Sequence, residues 1–92
     1  MAYSHIAANG TTQVTAATTR LTSVTINSKG GSSNTLTLYE GNIAAVTAET
    51  APVIAVIDTT SAVVTLEFGT WVQAVTAVLA TGTPGDVTVT TE

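Results

Sequence analysis

The chain has 92 residues, only 9% of them charged, and a formal net charge of −4, so its length predicts a single small domain. Its two cations, Arg20 and Lys29, are too few for a phosphate-binding surface, which argues against nucleic acid and anionic membranes as partners. The absence of cysteine excludes disulfides and thiolate metal sites.

The first thirteen residues show no regular alternation of apolar and polar side chains. We predict that residues 1–13 form an extended N-terminal arm, which either frays or lies on a neighbouring molecule. Within this arm, Tyr3, His5 and Ile6 are the side chains expected to anchor it on a partner. Residues 14–92 are predicted to form one β-sandwich domain.

Threonine, valine and other strand-forming residues dominate the rest of the chain. Alternation and turn residues predict strands near Val14 and at 20–27, 34–40, 53–58, 61–68, 75–81 and 86–91. Leu21 and Val24 are out of phase, which predicts a bulge at residues 22–23. Seven or eight short strands predict an all-β fold, a small antiparallel, jelly-roll-like β-sandwich.

Two connecting segments and one strand lead to further predictions. Residues 26–41, INSKGGSSNTLTLYEG, place a lysine beside two glycines, as a phosphate-binding loop could. They lack the residue order of the Walker A motif, so we predict a β-hairpin there. Residues 41–52 are predicted as a loop, although their alanine content also permits a short helical turn. The nearly continuous apolar run at 53–58 predicts a strand buried on both faces.

No group of residues predicts catalysis, a cofactor or a metal site. The only histidine, His5, lies in the arm without an evident catalytic partner. The six acids show neither paired spacing nor the Asp-x-Asp spacing of a calcium loop. Glu40 and Asp58 adjoin turns, where a carboxylate is expected to accept backbone N–H groups. We therefore predict that the protein is not an enzyme.

Two large aromatic side chains are candidates for an interface between protomers. Tyr39 is out of phase with Leu36 and Leu38, so it is expected to face away from the core. Trp71 is expected in the core or at its rim, or alternatively in an interface. A carbohydrate-binding module that uses Tyr39 and Trp71 as stacking platforms is a further alternative.

The surface composition favours a protein that lives in an assembly. A surface built from threonine and alanine, with few charged residues, protects poorly against association. An arm with anchoring side chains suits strand addition to a neighbour. Both properties suggest that part of the outer surface is covered by other molecules.

The order VTINSKGGSSNTLTLYEG, VIAVIDTTSAVVTLEF and AVLATGTPGDVTVT resembles small all-β proteins from the structural modules of tailed bacteriophages. The resemblance covers about residues 21–91, with Glu40 where the pattern often has Asp and an insertion-like IAAVTAETAP. It implies a virion protein of the head decoration or cement type, located on the outer surface of the capsid. Such a protein is expected to bind the major capsid protein through its arm and to form a homo-oligomer, with a trimer as the expected state. A small tail or fibre-associated virion protein is the alternative.

Overall fold

The alternation of aliphatic residues and threonine produces strands along almost the whole chain. The computed structural model describes residues 2–92. The elements are β1 (Ala2–Ile6), β2 (Gly10–Thr15), β3 (Thr19–Ser28), β4 (Thr35–Glu40), α1 (Ile43–Thr47), β5 (Val53–Asp58), β6 (Thr65–Val72), β7 (Val75–Ala80) and β8 (Asp86–Thr91). The predicted all-β sandwich is confirmed.

The strands form two four-stranded antiparallel sheets. Sheet 1 has the order β1-β8-β3-β6, and sheet 2 has the order β2-β7-β4-β5. Every connection except that from β4 to β5 crosses from one sheet to the other, which is the strand order of a jelly roll. The molecule is a slab of 31 × 28 × 16 Å, and its short dimension reflects two sheets packed face to face.

The core lies between the sheets and is almost entirely aliphatic. On β8, Val87 and Val89 are buried while Thr88 and Thr90 face outward, as their alternation predicted. The other fully buried aliphatic side chains are Leu21, Val24, Ile26, Leu36, Leu38, Val75, Ala77 and Leu79. Burying these side chains from both sheets is the main force that holds the sheets together.

The bulge predicted in β3 is confirmed. The pairing of β3 with both β6 and β8 shifts register between Leu21 and Ser23. Leu21 and Val24 are both fully buried although they are three residues apart. Because successive side chains of a regular strand alternate between faces, an extra residue is needed to turn both toward the core.

The β-hairpin predicted at residues 26–41 is wrong. Its two strands, β3 and β4, belong to different sheets and do not pair with each other. The connection between them instead forms an isolated bridge from Gly31 to Thr83, in the segment between β7 and β8. The apolar faces of β3 and β4 meet from opposite sides of the core, because the chain crosses from one sheet to the other.

Two further predictions are corrected by the fold. β5 is an edge strand of sheet 2, so the strand predicted to be buried on both faces leaves Val53 and Val56 exposed. The connection at 41–52, predicted as a loop, contains α1. The Asn42 side chain caps this helix by accepting a hydrogen bond from the Ala45 N–H at 2.9 Å.

The N-terminal segment, predicted as an arm, pairs within its own chain and contributes β1 and β2 to the two sheets. β1 lies antiparallel to β8, and β2 lies antiparallel to β7. The strand character of β1 is hard to see in the sequence because only Ile6 among its five residues is buried. Contact between this segment and a neighbouring molecule stays a prediction.

Candidate interaction surface

Buried Asn34 organises the loops at one end of the sandwich. Its Nδ2 donates to Asn9 Oδ1 at 3.0 Å and to the carbonyls of residues 80–81 at 3.1 and 2.8 Å. Its Oδ1 accepts from Thr59 Oγ1 at 2.6 Å and from the Gly85 N–H at 3.1 Å. One amide side chain thereby links four connections between the two sheets.

The Lys-Gly-Gly stretch packs against this same polar cluster. A Cβ on Gly30 would lie 2.6 Å from Thr59 Oγ1 and 2.8 Å from Asn34 Oδ1, so only glycine fits there without displacing these atoms. The Lys29 side chain is exposed. The glycine therefore serves the close approach of loops, which explains the motif without a phosphate ligand.

The two acids that adjoin turns accept backbone N–H groups, as predicted. Glu40 Oε2 accepts from the Gln73 N–H at 3.1 Å. Asp58 Oδ1 accepts from the N–H and the hydroxyl of Thr60 at 2.8 and 2.6 Å, and its Oδ2 accepts from Ser61 Oγ at 3.1 Å. These hydrogen bonds, led by the Thr60 hydroxyl, hold the pKa of Asp58 below its ordinary value.

His5 and Asp86 form a polar pair on the outer face of sheet 1. His5 Nε2 lies 2.5 Å from Asp86 Oδ1, and Asn27 Nδ2 donates to the same oxygen at 3.2 Å. The Asn27 hydrogen bond, followed by that from His5, lowers the pKa of Asp86. Both side chains are well exposed to solvent. Residues 2–92 contain no group of three or more metal-ligating side chains and no pocket.

The lowered pKa values of Asp58 and Asp86 predict a loss of stability in acid. Because the folded-state pKa lies below the unfolded value, each carboxylate stabilises the fold at neutral pH and ceases to do so as the pH falls through the folded-state pKa. The urea concentration at the midpoint of unfolding is expected to decrease as the pH is lowered below about 4. Asp58→Asn, which keeps one acceptor oxygen but does not titrate, should reduce that fall; an identical pH profile would contradict the assignment.

Exposed apolar side chains are concentrated along one lateral edge of the sandwich. β1 and β2 contact each other at one lateral edge, and the last strands of the two sheets, β5 and β6, form the opposite edge. Six of the eight large apolar side chains exposed in residues 2–92 lie on these two strands or between them. We call this set the apolar flank: Val53, Val56, Val63, Val64, Leu66 and Trp71.

Part of the apolar flank faces the space between the sheets. Leu66 pairs with fully buried Val24, so its side chain points toward the core, yet it is 36% exposed. Val64, just before β6, and Phe68 are on this same side; Val64 is exposed, and Phe68 packs partly against the core. The row of Val64, Leu66 and Phe68 is incompletely covered because β6 ends the sheet.

The two aromatic candidates lie on opposite faces of the slab. Trp71 is 67% exposed and pairs with Arg20, next to buried Leu21, so it lies on the outer face of sheet 1 rather than in the core. Tyr39 is half-buried and faces away from Leu38, as predicted, on the outer face of sheet 2. They therefore do not form one stacking platform for a carbohydrate.

The three arm residues differ in accessibility. Tyr3 is 74% exposed, and it lies with His5 on the outer face of sheet 1, opposite Thr90 and Thr88. Ile6 is 5% exposed and lies opposite Val87 in the core. A partner can reach Tyr3 and His5 on this surface, whereas it reaches Ile6 only if β1 leaves the sheet.

Comparison with family models, curated proteins and solved structures finds no match to this chain. No helix in residues 2–92 has the length and apolar character needed to cross a membrane. Sequence reasoning did not find the apolar flank, because the apolar runs of β5 and β6 resemble those of central strands. Of the residues in the flank, only Trp71 was named from the sequence as a candidate for an interface.

Proposed function

We propose that this protein is a structural component of a tailed-phage virion, a decoration or cement protein that binds the outside of the assembled head. The observation that carries the proposal is a jelly roll with few charged residues whose exposed apolar side chains gather on one edge. Such an edge favours association with other molecules. The resemblance of residues 21–91 to small phage structural proteins supports the virion as the setting.

The proposed mechanism is stabilisation by mass action. A protein that binds the assembled lattice but not its free subunits stabilises the lattice by its binding free energy. That free energy is repeated over many copies, and linkage between copies raises the avidity. The major capsid protein is the proposed partner, with Tyr3 and His5 as the contact residues on the outer face of sheet 1. In this proposal the apolar flank mediates contact between copies of the chain.

The test uses heads of the encoding phage from which the gene for this protein has been deleted. Purified protein should co-sediment with these heads and raise their thermal stability, and cryo-electron microscopy should place it on the outer shell. Tyr3→Ala should weaken binding roughly tenfold, because exposed tyrosines often anchor interfaces. Ile43→Ala, an exposed apolar residue in α1, is the matched control and should bind normally. Density on the tail, or no binding to heads, would contradict the proposal.

A further inference from the structure

We infer that two copies of this chain associate through their β6 strands, in an antiparallel two-fold pair that joins the two copies of sheet 1 into one eight-stranded sheet. The contact belongs to the free protein in solution. It therefore goes beyond binding to a phage head and does not depend on it.

The free edge of β6 presents unpaired backbone groups. The ladder between β3 and β6 continues to Val64, whose carbonyl accepts from the Ile26 N–H at 2.8 Å. Backbone groups of successive residues point alternately to the two sides of a strand. Val64 and Leu66 therefore direct theirs toward β3, while Thr65 and Glu67 direct theirs toward the free edge. β6 has no proline or lysine, which commonly protect an edge.

One register satisfies both the backbone groups and the side chains. With Leu66 opposite Leu66 of the second copy, the free groups of Thr65 and Glu67 pair across the contact. Val64 of each copy then lies opposite Phe68 of the other, so the two incompletely covered apolar rows meet. Centring the pair on Glu67 would place two carboxylates directly opposite each other, which is unfavourable.

A second β6 fits this edge better than the other free edge of sheet 1. β1 presents Ala2 and Ser4 on its core side, next to buried Ile6, and offers little apolar surface to Leu66. The β6 pair is self-complementary, as a two-fold contact requires. It closes at two copies, so the trimer expected from the resemblance would need a different contact.

A cysteine cross-link tests the register, since the chain has no cysteine of its own. Leu66→Cys puts two thiols opposite each other in a non-hydrogen-bonded pair, about 4.5–5.5 Å apart at Cβ and close to disulfide reach. Val56→Cys, at a site 65% exposed on sheet 2, is the control. Leu66→Cys should form a disulfide-linked dimer of 9.2 kDa chains at least about tenfold faster than the control. Equal rates would overturn the proposal.

A proline tests the backbone pairing. Thr65→Pro removes an N–H that points to the free edge and leaves the bonds from β6 to β3 in place. Thr65→Val is the matched control, because it loses the hydroxyl contact with Thr25 Oγ1 at 3.1 Å but keeps the N–H. Sedimentation equilibrium should give Thr65→Pro a dimer dissociation constant at least about tenfold higher than that of the control. Far-ultraviolet circular dichroism checks that both variants fold. Wild-type protein that stays monomeric at about 100 µM, or forms a trimer, would overturn the inference.

Discussion

Replacing Asn34 with alanine is expected to destabilise the fold by about 4 kcal/mol and to lower Tm by about 20 °C. The substitution removes five side-chain hydrogen bonds from a fully buried position. It also leaves the buried Gly85 N–H without a hydrogen-bond acceptor. Each buried polar group left unpaired costs about 1–3 kcal/mol. Urea denaturation and thermal melts measure the loss.

Asn27→Ala is the control for this effect. Asn27 is also an asparagine with two side-chain hydrogen bonds, to Asp86 and Thr88, but it lies on the exposed outer face. Water replaces those bonds, so the loss should stay within about 1 kcal/mol. If both variants lost the same stability, Asn34 would not be the residue that links the loops.

Gly30→Ala is expected to destabilise the fold by about 3 kcal/mol. The added Cβ would lie 2.6 Å from Thr59 Oγ1 and 2.7 Å from the Thr83 carbonyl. The carbonyl belongs to the backbone and cannot rotate away, so the loops must separate around the Asn34 cluster. The loss is measured as the fall in the free energy of unfolding by urea denaturation.

The neighbouring glycine provides a matched control. A Cβ on Gly31 would meet its nearest atoms, in the Thr83 side chain, at 3.7 and 3.8 Å, which is ordinary van der Waals contact. Gly31→Ala should therefore change the free energy of unfolding by no more than about 0.5 kcal/mol. Equal losses at both positions would show that backbone freedom, rather than close approach, explains the glycine pair.

The Asn34 cluster and the apolar flank lie in different parts of the slab. The Asn34 cluster joins connections at one end and is explained by folding stability alone. The apolar flank runs along a lateral edge, where burial is incomplete and backbone groups of β6 are free. The flank combines exposed apolar side chains with free backbone groups, and a second copy would cover both, so the proposed contact between copies is placed there.

The fold class and most of the core follow from the sequence alone. Alternation alone identified the inward faces of β4 and β8, because Leu36, Leu38, Val87 and Val89 recur every second residue. The same reasoning located the bulge in β3. It also assigned Asp58 to a turn, since a carboxylate next to a turn has backbone N–H groups within local reach. These features depend on residues close together in the chain.

The pairing of the strands and the position of the edge strands depend on long-range packing. The hairpin prediction failed because β3 pairs with β6 and β8, which come much later in the chain. β5 has the composition of a central strand but lies at an edge. Nothing in the sequence indicated the role of Asn34, because its partners come from three other connections that are distant in the chain. Local alternation specifies which face of a strand is buried; long-range packing decides which strand covers it and which side chains remain exposed to a partner.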